Sequence, residues 1–455
     1  MRIAVVGGGV AGLAAAAALR KLAGPDLELV VLERAARLGG KLRTGQLAGA
    51  PVETGAETFL TTESGAESAA LRLAREVGLG DELIHPAPVP AAIVDGGALR
   101  PLPAGTLLGI PADPSTLDGY RIEDRDHDRG HPVLTVPDVA VGELVADRYG
   151  ADLVRRLVDP LLGGVYAGAA DRLSLAATMP ALHGAAQSES TLGAAVRSAL
   201  EASGRRPGQP VFASVRGGLS RYVDAIAASA GAQLSLGTTV RGLARTGDGY
   251  ELTTGSTRDE SRLAVDGVVL AVPGAPAARL LERIDAVAAP LRALEYASVV
   301  LVTLALPPGT VLPALSGFLV PATEGLAIKA ATFFTTKWAR DEGPVLVRAS
   351  LGRHGDVSTL QQPDAALLGT VRRELGMVLD LSLPEPVDEL VTRWGGALPQ
   401  YGVGHVAAVA AARSALPAGL ALAGAAYDGV GIAACVRSGE AAGQAVWASL
   451  TESVA

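Results

Sequence analysis

The chain is short of cysteine, lysine, net positive charge and long apolar runs, and each shortage excludes something. A single cysteine, Cys435, among 455 residues leaves no disulfide within the chain and no thiolate metal cluster, which suits a reducing cytoplasm. The 6 histidines are scattered. His127 and His131 stand one helical turn apart, but they fall in the polar stretch Arg121–His131, which reads as a solvated loop and not as a metal site. The only lysines are Lys21, Lys41, Lys329 and Lys337. A formal net charge of -8 offers no electrostatic footprint for nucleic acid. No run of about 18 uncharged apolar residues occurs, so no transmembrane helix is expected. The opening imitates a secretion signal, with Arg2 ahead of an apolar stretch ending Ala14–Ala18. Its glycines, however, stand at nucleotide-motif spacing, and Glu28–Glu33 then reads as a second strand.

What is present is length and apolar content. A chain of 455 residues that is 49% hydrophobic exceeds one core and predicts two or more ordered domains. Arg2–Val6 reads as a buried strand, Ala11–Leu22 as a helix and Leu27–Leu32 as the next strand, a βαβ unit. Residues 113–137 carry mixed charge and turn signals and predict a mobile polar loop. Val141–Leu162 and Leu192–Ala202 have helical periodicity. Val299–Leu306, Ala327–Phe334 and Val345–Leu351 read as strands of a second sheet. Asp364–Leu379 and Ala433–Leu450 read as helices.

Gly7-x-Gly9-x-x-Gly12 follows the first strand and opens the first helix. Gly7 permits a tight turn, Gly9 lets backbone approach a pyrophosphate, and Gly12 lets helix and strand pack closely. The helix start, with Gly8, Val10 and Ala11, offers free N–H groups and partial positive charge to that phosphate. Glu33, at the end of the second strand, can accept both hydroxyls of an adenosine ribose. Gly39-Gly40-Lys41 follows, with Lys41 or Arg43 available to a phosphate. Glu53-Thr-Gly-Ala-Glu-Thr-Phe59 reads as a loop that could pass a flavin ring. A second glycine-rich signature, Gly424 to Gly439, places Gly429 and Gly431 just before the last helix. A helix start aimed at the N1/C2 edge of a flavin stabilises the negative charge gained on reduction. FAD is long enough to need both ends of the chain folded onto one site, so the pair of motifs points to FAD. Cys435 reads as a packed side chain and not as a nucleophile.

These residues resemble the flavin-containing amine oxidase and protoporphyrinogen oxidase superfamily. Asp159-Pro-Leu-Leu-Gly-Gly-Val-Tyr-Ala-Gly168, Asp171-Arg-Leu-Ser-Leu175, Arg216-Gly-Gly-Leu219, Thr332-Phe-Phe-Thr-Thr-Lys-Trp338 and Arg393-Trp394 with Leu398-Pro-Gln-Tyr401 resemble its porphyrinogen oxidase branch. The resemblance covers nearly the whole chain. It implies an α/β chain, α+β overall: a Rossmann-like FAD-binding domain, a mixed-sheet substrate domain and a mainly helical insert. The FAD domain would take residues 1–80, 206–274 and 394–455. The chain would cross over at 81–112, and the insert would take 113–205 and the substrate domain 275–393. Carried over by position, the FAD contacts are Gly7 to Gly12, Glu33, Arg34, Lys41, Gly55, Ala56, Glu57, Thr58, Val240, Trp394, Val430, Gly431 and Ile432. Relatives usually have Gly-Pro where this chain has Gly55-Ala56, and basic residues where it has Thr61-Thr62-Glu63.

The resemblance also implies oxidation of a porphyrinogen by O2 in haem synthesis. Peripheral membrane contact and a downstream enzyme that takes the porphyrin are further implied partners. Loss of six hydrogens in three two-electron rounds would yield three H2O2, with hydride leaving a bridge carbon and a proton leaving a pyrrole nitrogen. No acid–base pair presents itself in the sequence. Coproporphyrinogen III, with four carboxylates, is the expected substrate, and protoporphyrinogen IX, with two, is the alternative. Lys329, a lysine in an otherwise apolar strand, is a candidate substrate contact, and Tyr166 a candidate for the cavity wall. An amine oxidase, a carotenoid desaturase and a non-enzymatic binding protein share the scaffold. An NAD-dependent dehydrogenase would leave the C-terminal motif without a role.

Overall fold

A computed structural model describes residues 1–63, 65–204, 208–340 and 342–452. Its first body is built on a five-stranded parallel sheet. The strand order is Gln233–Ser235, Glu28–Leu32, Arg2–Val6, Gly267–Leu270 and Leu420–Leu422. The central strands are continuous apolar runs because both faces are covered. On one face lie the helices Val10–Ala23, Leu219–Ala230 and Ile432–Glu452, which share a core with Val5 and Val31 through Leu13, Ile226 and Val436. The other face holds Ala4, Val6 and Val30 against Leu252 of a three-stranded antiparallel sheet and against Ala277 and Leu291. Those last two residues belong to the helices Gly274–Leu280 and Asp285–Arg292. The chain therefore leaves this body after residue 292, later than the expected boundary at 274, because these helices bury their apolar stripe here.

The second body is a seven-stranded mixed sheet. Its order is Ala98–Pro101, Ala91–Asp95, Gly317–Leu319, Ile328–Phe333, Val345–Leu351, Tyr296–Leu306 and Asp388–Pro399. One pair, Gly317–Leu319 with Ala91–Asp95, is parallel. The helix Asp364–Leu379 covers one face, setting Leu367, Val371 and Leu375 on Val300, Val302 and Val347. Trp394 lies within the Asp388–Pro399 strand, paired with Val299. The expected boundary at 394 thus moves past Pro399. Gly395-Gly396 looks like a break in the sequence, but the sheet absorbs it as a register shift, with Gly396 at φ 57°.

The insert is helical, with Val141–Tyr149, Asp159–Tyr166 and Leu192–Ala202 closing a core of Tyr149, Leu157, Leu162, Leu182 and Val196. The polar stretch before it holds no helix or strand from 117 to 140, yet it is pinned and not free. The Asp126 carboxylate accepts from the backbone N–H of Leu192 (2.7 Å) and Gly193 (2.8 Å), from Tyr149 Oη (3.1 Å) and from Arg148 Nη1 (3.3 Å). A carboxylate at a helix start offsets the positive end of the dipole. These partners are distant in sequence, so local composition alone read as a mobile loop.

Candidate functional site

The first strand delivers its glycines to a crowded turn. A Cβ on Gly12 would sit 1.9 Å from the Gly7 carbonyl oxygen, and one on Gly7, at φ 110°, would sit 2.4 Å from the Ala271 oxygen. Both positions therefore need glycine to let backbone pack on backbone. Gly9 differs, since a Cβ there would meet nothing within 4 Å. It faces open space at the helix start, as a backbone that must approach a ligand would. Glu33 stands beside it, with Oε2 accepting from Gly8 N (2.7 Å) and Oε1 from Ala35 N (2.8 Å). Those bonds hold the carboxylate at the end of the second strand. Arg34 is exposed next to it. Thr238 N donates to the Glu33 carbonyl (2.8 Å) and brings Val240, which packs on the Ala4–Val30 core, to the same edge.

The C-terminal motif meets the N-terminal one through small residues. A Cβ on Gly439 would lie 2.0 Å from the Ala11 carbonyl oxygen, and one on Gly443 would lie 2.8 Å from that of Ala15. The first and last helices thus cross at backbone contact. The last helix, which the Gly429–Ile432 turn opens, thus packs on the helix that the Gly9 turn opens. Gly431 is exposed, with nothing within 4 Å of its Cβ position. Asp428 holds the turn. Its carboxylate receives Arg413 and Ser438, and Ser438 Oγ in turn accepts from Gly424 N at 2.8 Å. Burial raises the Asp428 carboxyl pKa, but the Arg413 and Ser438 bonds outweigh it and hold the pKa below the usual range. The sequence reading missed Arg413, which carries no signal beyond a helix-terminal arginine.

Two loops complete the junction. Gly39 N donates to the Gly8 carbonyl at 2.8 Å, which draws Gly40 and Lys41 toward the nucleotide turn. Burial lowers the Lys41 pKa, and the nearby thiol of Cys435 counters this only when it ionises. The thiol is itself pushed up to about 11 by burial, so it supplies little negative charge. Gly55 lies directly on Lys41, since a Cβ would come 2.0 Å from the Lys41 oxygen and 3.2 Å from Trp394. Ala56 N donates to the same oxygen at 3.1 Å. Thr58 follows, half-buried. The Glu57 side chain, expected at the cofactor, is turned away. Its carboxylate meets Lys337 Nζ (2.9 Å), Arg348 Nη2 (2.9 Å) and Trp338 Nε1 (2.8 Å). Burial pushes its pKa up, and the two cations overcome that and lower it.

The candidate substrate residues fare differently. Tyr166 is packed in the insert core, edge-on to Tyr401 with ring centroids 5.7 Å apart, and burial lifts its hydroxyl pKa to about 12. The structure assigns it to packing. Lys329 is the extra residue of a bulge between Ile328 and Ala330. It is 7% exposed, and burial, with nearby Arg353, lowers its pKa to about 7. Water-facing lysines on strands are not desolvated in this way. Among the described residues, no carboxylate forms an ion pair with it.

The nucleotide turn is tied to the acid after the second strand, and the helix it opens is crossed at Ala11 by the helix that follows the C-terminal glycine turn. A family profile described as flavin containing amine oxidoreductase matches residues 10–447. The chain belongs to that family. Its cofactor is a flavin. The coproporphyrinogen III oxidase of Mycobacterium tuberculosis is 38% identical over 97% of this chain and 96% of its own length. Human protoporphyrinogen oxidase is 31% identical over 98% of both. A crystal structure from Exiguobacterium sp. 255-15 superposes with a TM-score of 0.82 at 29% identity over 98% of each chain. Among the described residues, no helix is long and apolar enough to cross a membrane.

Proposed function

We propose that this flavoprotein oxidises coproporphyrinogen III to coproporphyrin III, with FAD as cofactor and O2 as acceptor, releasing H2O2. The observation that carries this reading is the end-to-end 38% identity with the mycobacterial enzyme of that name. The junction geometry supports FAD. Gly7 to Gly12 would receive the pyrophosphate, Glu33 the ribose, and Arg34 and Val240 the adenine side. Lys41, Gly55 to Thr58, Trp394 and Val430 to Ile432 would border the ring. Bound FAD would accept two electrons per round and pass them to O2.

The protein's own part is to hold a flat macrocycle and keep water out. Leu301, Ser350 and Ala330 stand opposite one another across three strands, so they share one face of the sheet. Arg348, two residues from Ser350 on its strand, points from that face toward Gly55. A small, mostly apolar wall of this kind suits a porphyrinogen. Lys329, beside Ala330, is the proposed contact for a propionate, and the product would leave to a downstream enzyme of haem synthesis.

The test is anaerobic mixing of the enzyme with coproporphyrinogen III or protoporphyrinogen IX while flavin bleaching is followed. Faster bleaching by coproporphyrinogen III is expected. Faster reduction by protoporphyrinogen IX would shift the assignment to the activity named for the human relative.

A further inference from the structure

The second body grips the loop Glu53–Glu57 of the first body with side chains at consecutive residues. Arg348 Nη1 donates to the carbonyl oxygens of Glu53 (2.9 Å) and Gly55 (3.3 Å), and Trp394 Nε1 donates to that of Thr54 (2.6 Å). Three successive carbonyls are thus held by the seven-stranded sheet. Arg348 Nη2, Lys337 Nζ and Trp338 Nε1 then converge on the Glu57 carboxylate. The guanidinium lies over the Phe334 ring, 4.8 Å from its centroid, which fixes its plane. On its other side the loop rests on Lys41, with Gly55 against the Lys41 carbonyl. The loop is therefore clamped between the nucleotide turn and the seven-stranded sheet, and Arg348 donates to it at Glu53, Gly55 and Glu57.

We propose that Arg348 is a positioning residue. It locks the backbone of Glu53–Glu57 so that the loop presents a fixed edge to the flavin, and so couples flavin position to the sheet that carries the substrate. This rests on the flavin reading above. Arg348 need not touch either reactant. Its planar fork serves two carbonyls from Nη1 and a carboxylate from Nη2, in a fixed plane that the single nitrogen of an ammonium does not provide. Glu57 is the counter-charge that offsets the partial desolvation of the guanidinium. The pair thus carries the domain junction, and its cost is offset only while the loop is seated.

The experiment compares wild type with Arg348→Met, Arg348→Lys, Glu57→Gln and a control, Arg148→Met. The control breaks another buried arginine–carboxylate contact, that with Asp126 inside the helical insert. Each protein is stripped of flavin and retitrated with FAD, and the visible absorption, flavin circular dichroism, midpoint potential and thermal midpoint are recorded. Arg348→Met should weaken FAD binding on the order of tenfold or more, as expected for lost charge-assisted hydrogen bonds. It should also change the flavin dichroism and lower kcat more than it raises KM. Arg348→Lys should restore affinity in part but not the dichroism, and Glu57→Gln should fall between. Arg148→Met should lower the thermal midpoint and leave FAD affinity and spectrum unchanged. If Arg348→Met, or Arg348→Lys and Glu57→Gln should the Met variant not fold, behave like the control, the inference is overturned while the flavin reading stands. Wild-type protein that takes up no FAD would overturn both.

Discussion

Replacing Lys329 with Met is expected to stabilise the protein at neutral pH and to cost it coproporphyrinogen affinity. The amine is moved from its ordinary 10.5 to about 7 by burial and by Arg353. The folded chain therefore releases this proton near pH 7, whereas the unfolded chain keeps it to about 10.5. Between those values the unfolded state binds more protons, so wild-type stability rises with pH. The burden of the buried lysine is full at and below pH 7 and gone near 10.5. At about 1.4 kcal/mol per unit, it amounts to roughly 4 kcal/mol at neutral pH. The Met variant should melt higher than wild type at pH 6–7, with the gap closing as pH rises toward 10. A residue retained at such a cost is explained if a substrate carboxylate pairs with it. Coproporphyrin should then protect wild type against melting more than it protects Lys329→Met, and KM for coproporphyrinogen III should rise on the order of tenfold, the scale of one buried ion pair. A melting gap that does not vary with pH would show the lysine to be solvated. Unchanged KM would remove it from the site.

Gly439→Ala should give a protein that purifies nearly colourless. The added methyl would stand 2.0 Å from the Ala11 oxygen and 3.0 Å from Ala15 N. Both are backbone atoms of the first helix and cannot rotate away. The helices must separate, at a typical overpacking cost of about 1–3 kcal/mol, occasionally more. The more specific consequence is geometric. The Gly9 turn and the Gly431 turn are carried on the two helices that separate, so their spacing widens. The flavin-to-protein absorbance ratio of the purified variant reports this directly. Gly443→Ala, with 2.8 Å to its nearest backbone oxygen, should be milder. A fully flavin-loaded Gly439→Ala protein would show that the two motifs do not share one ligand.

Some of the fold was legible because its signals are local. The Val5–Val31 strands are apolar runs, and the glycine spacing follows from a turn of fixed length, so 1–32 and 364–379 were read nearly to the residue. The boundary at 394 follows from resemblance alone, and the strand pairing that carries the sheet on to Pro399 has its partner about 100 residues away, at Tyr296–Leu306. Tyr166 looked like a cavity residue because a tyrosine between glycines carries no mark of Tyr401 packing on it. The motif places the Glu57 backbone next to Gly55, but the partners of its carboxylate lie almost 300 positions away and leave no local signal.

Residue order is enough to show a dinucleotide turn, an acid after the second strand and a glycine turn before the last helix. Each depends only on residues close along the chain. Only long-range packing brings the first and last helices together at Ala11 and Gly439, anchors a polar loop on Asp126 and holds the Gly55 loop on Arg348. Those contacts depend on side-chain direction and burial across hundreds of residues, where local propensity has no reach.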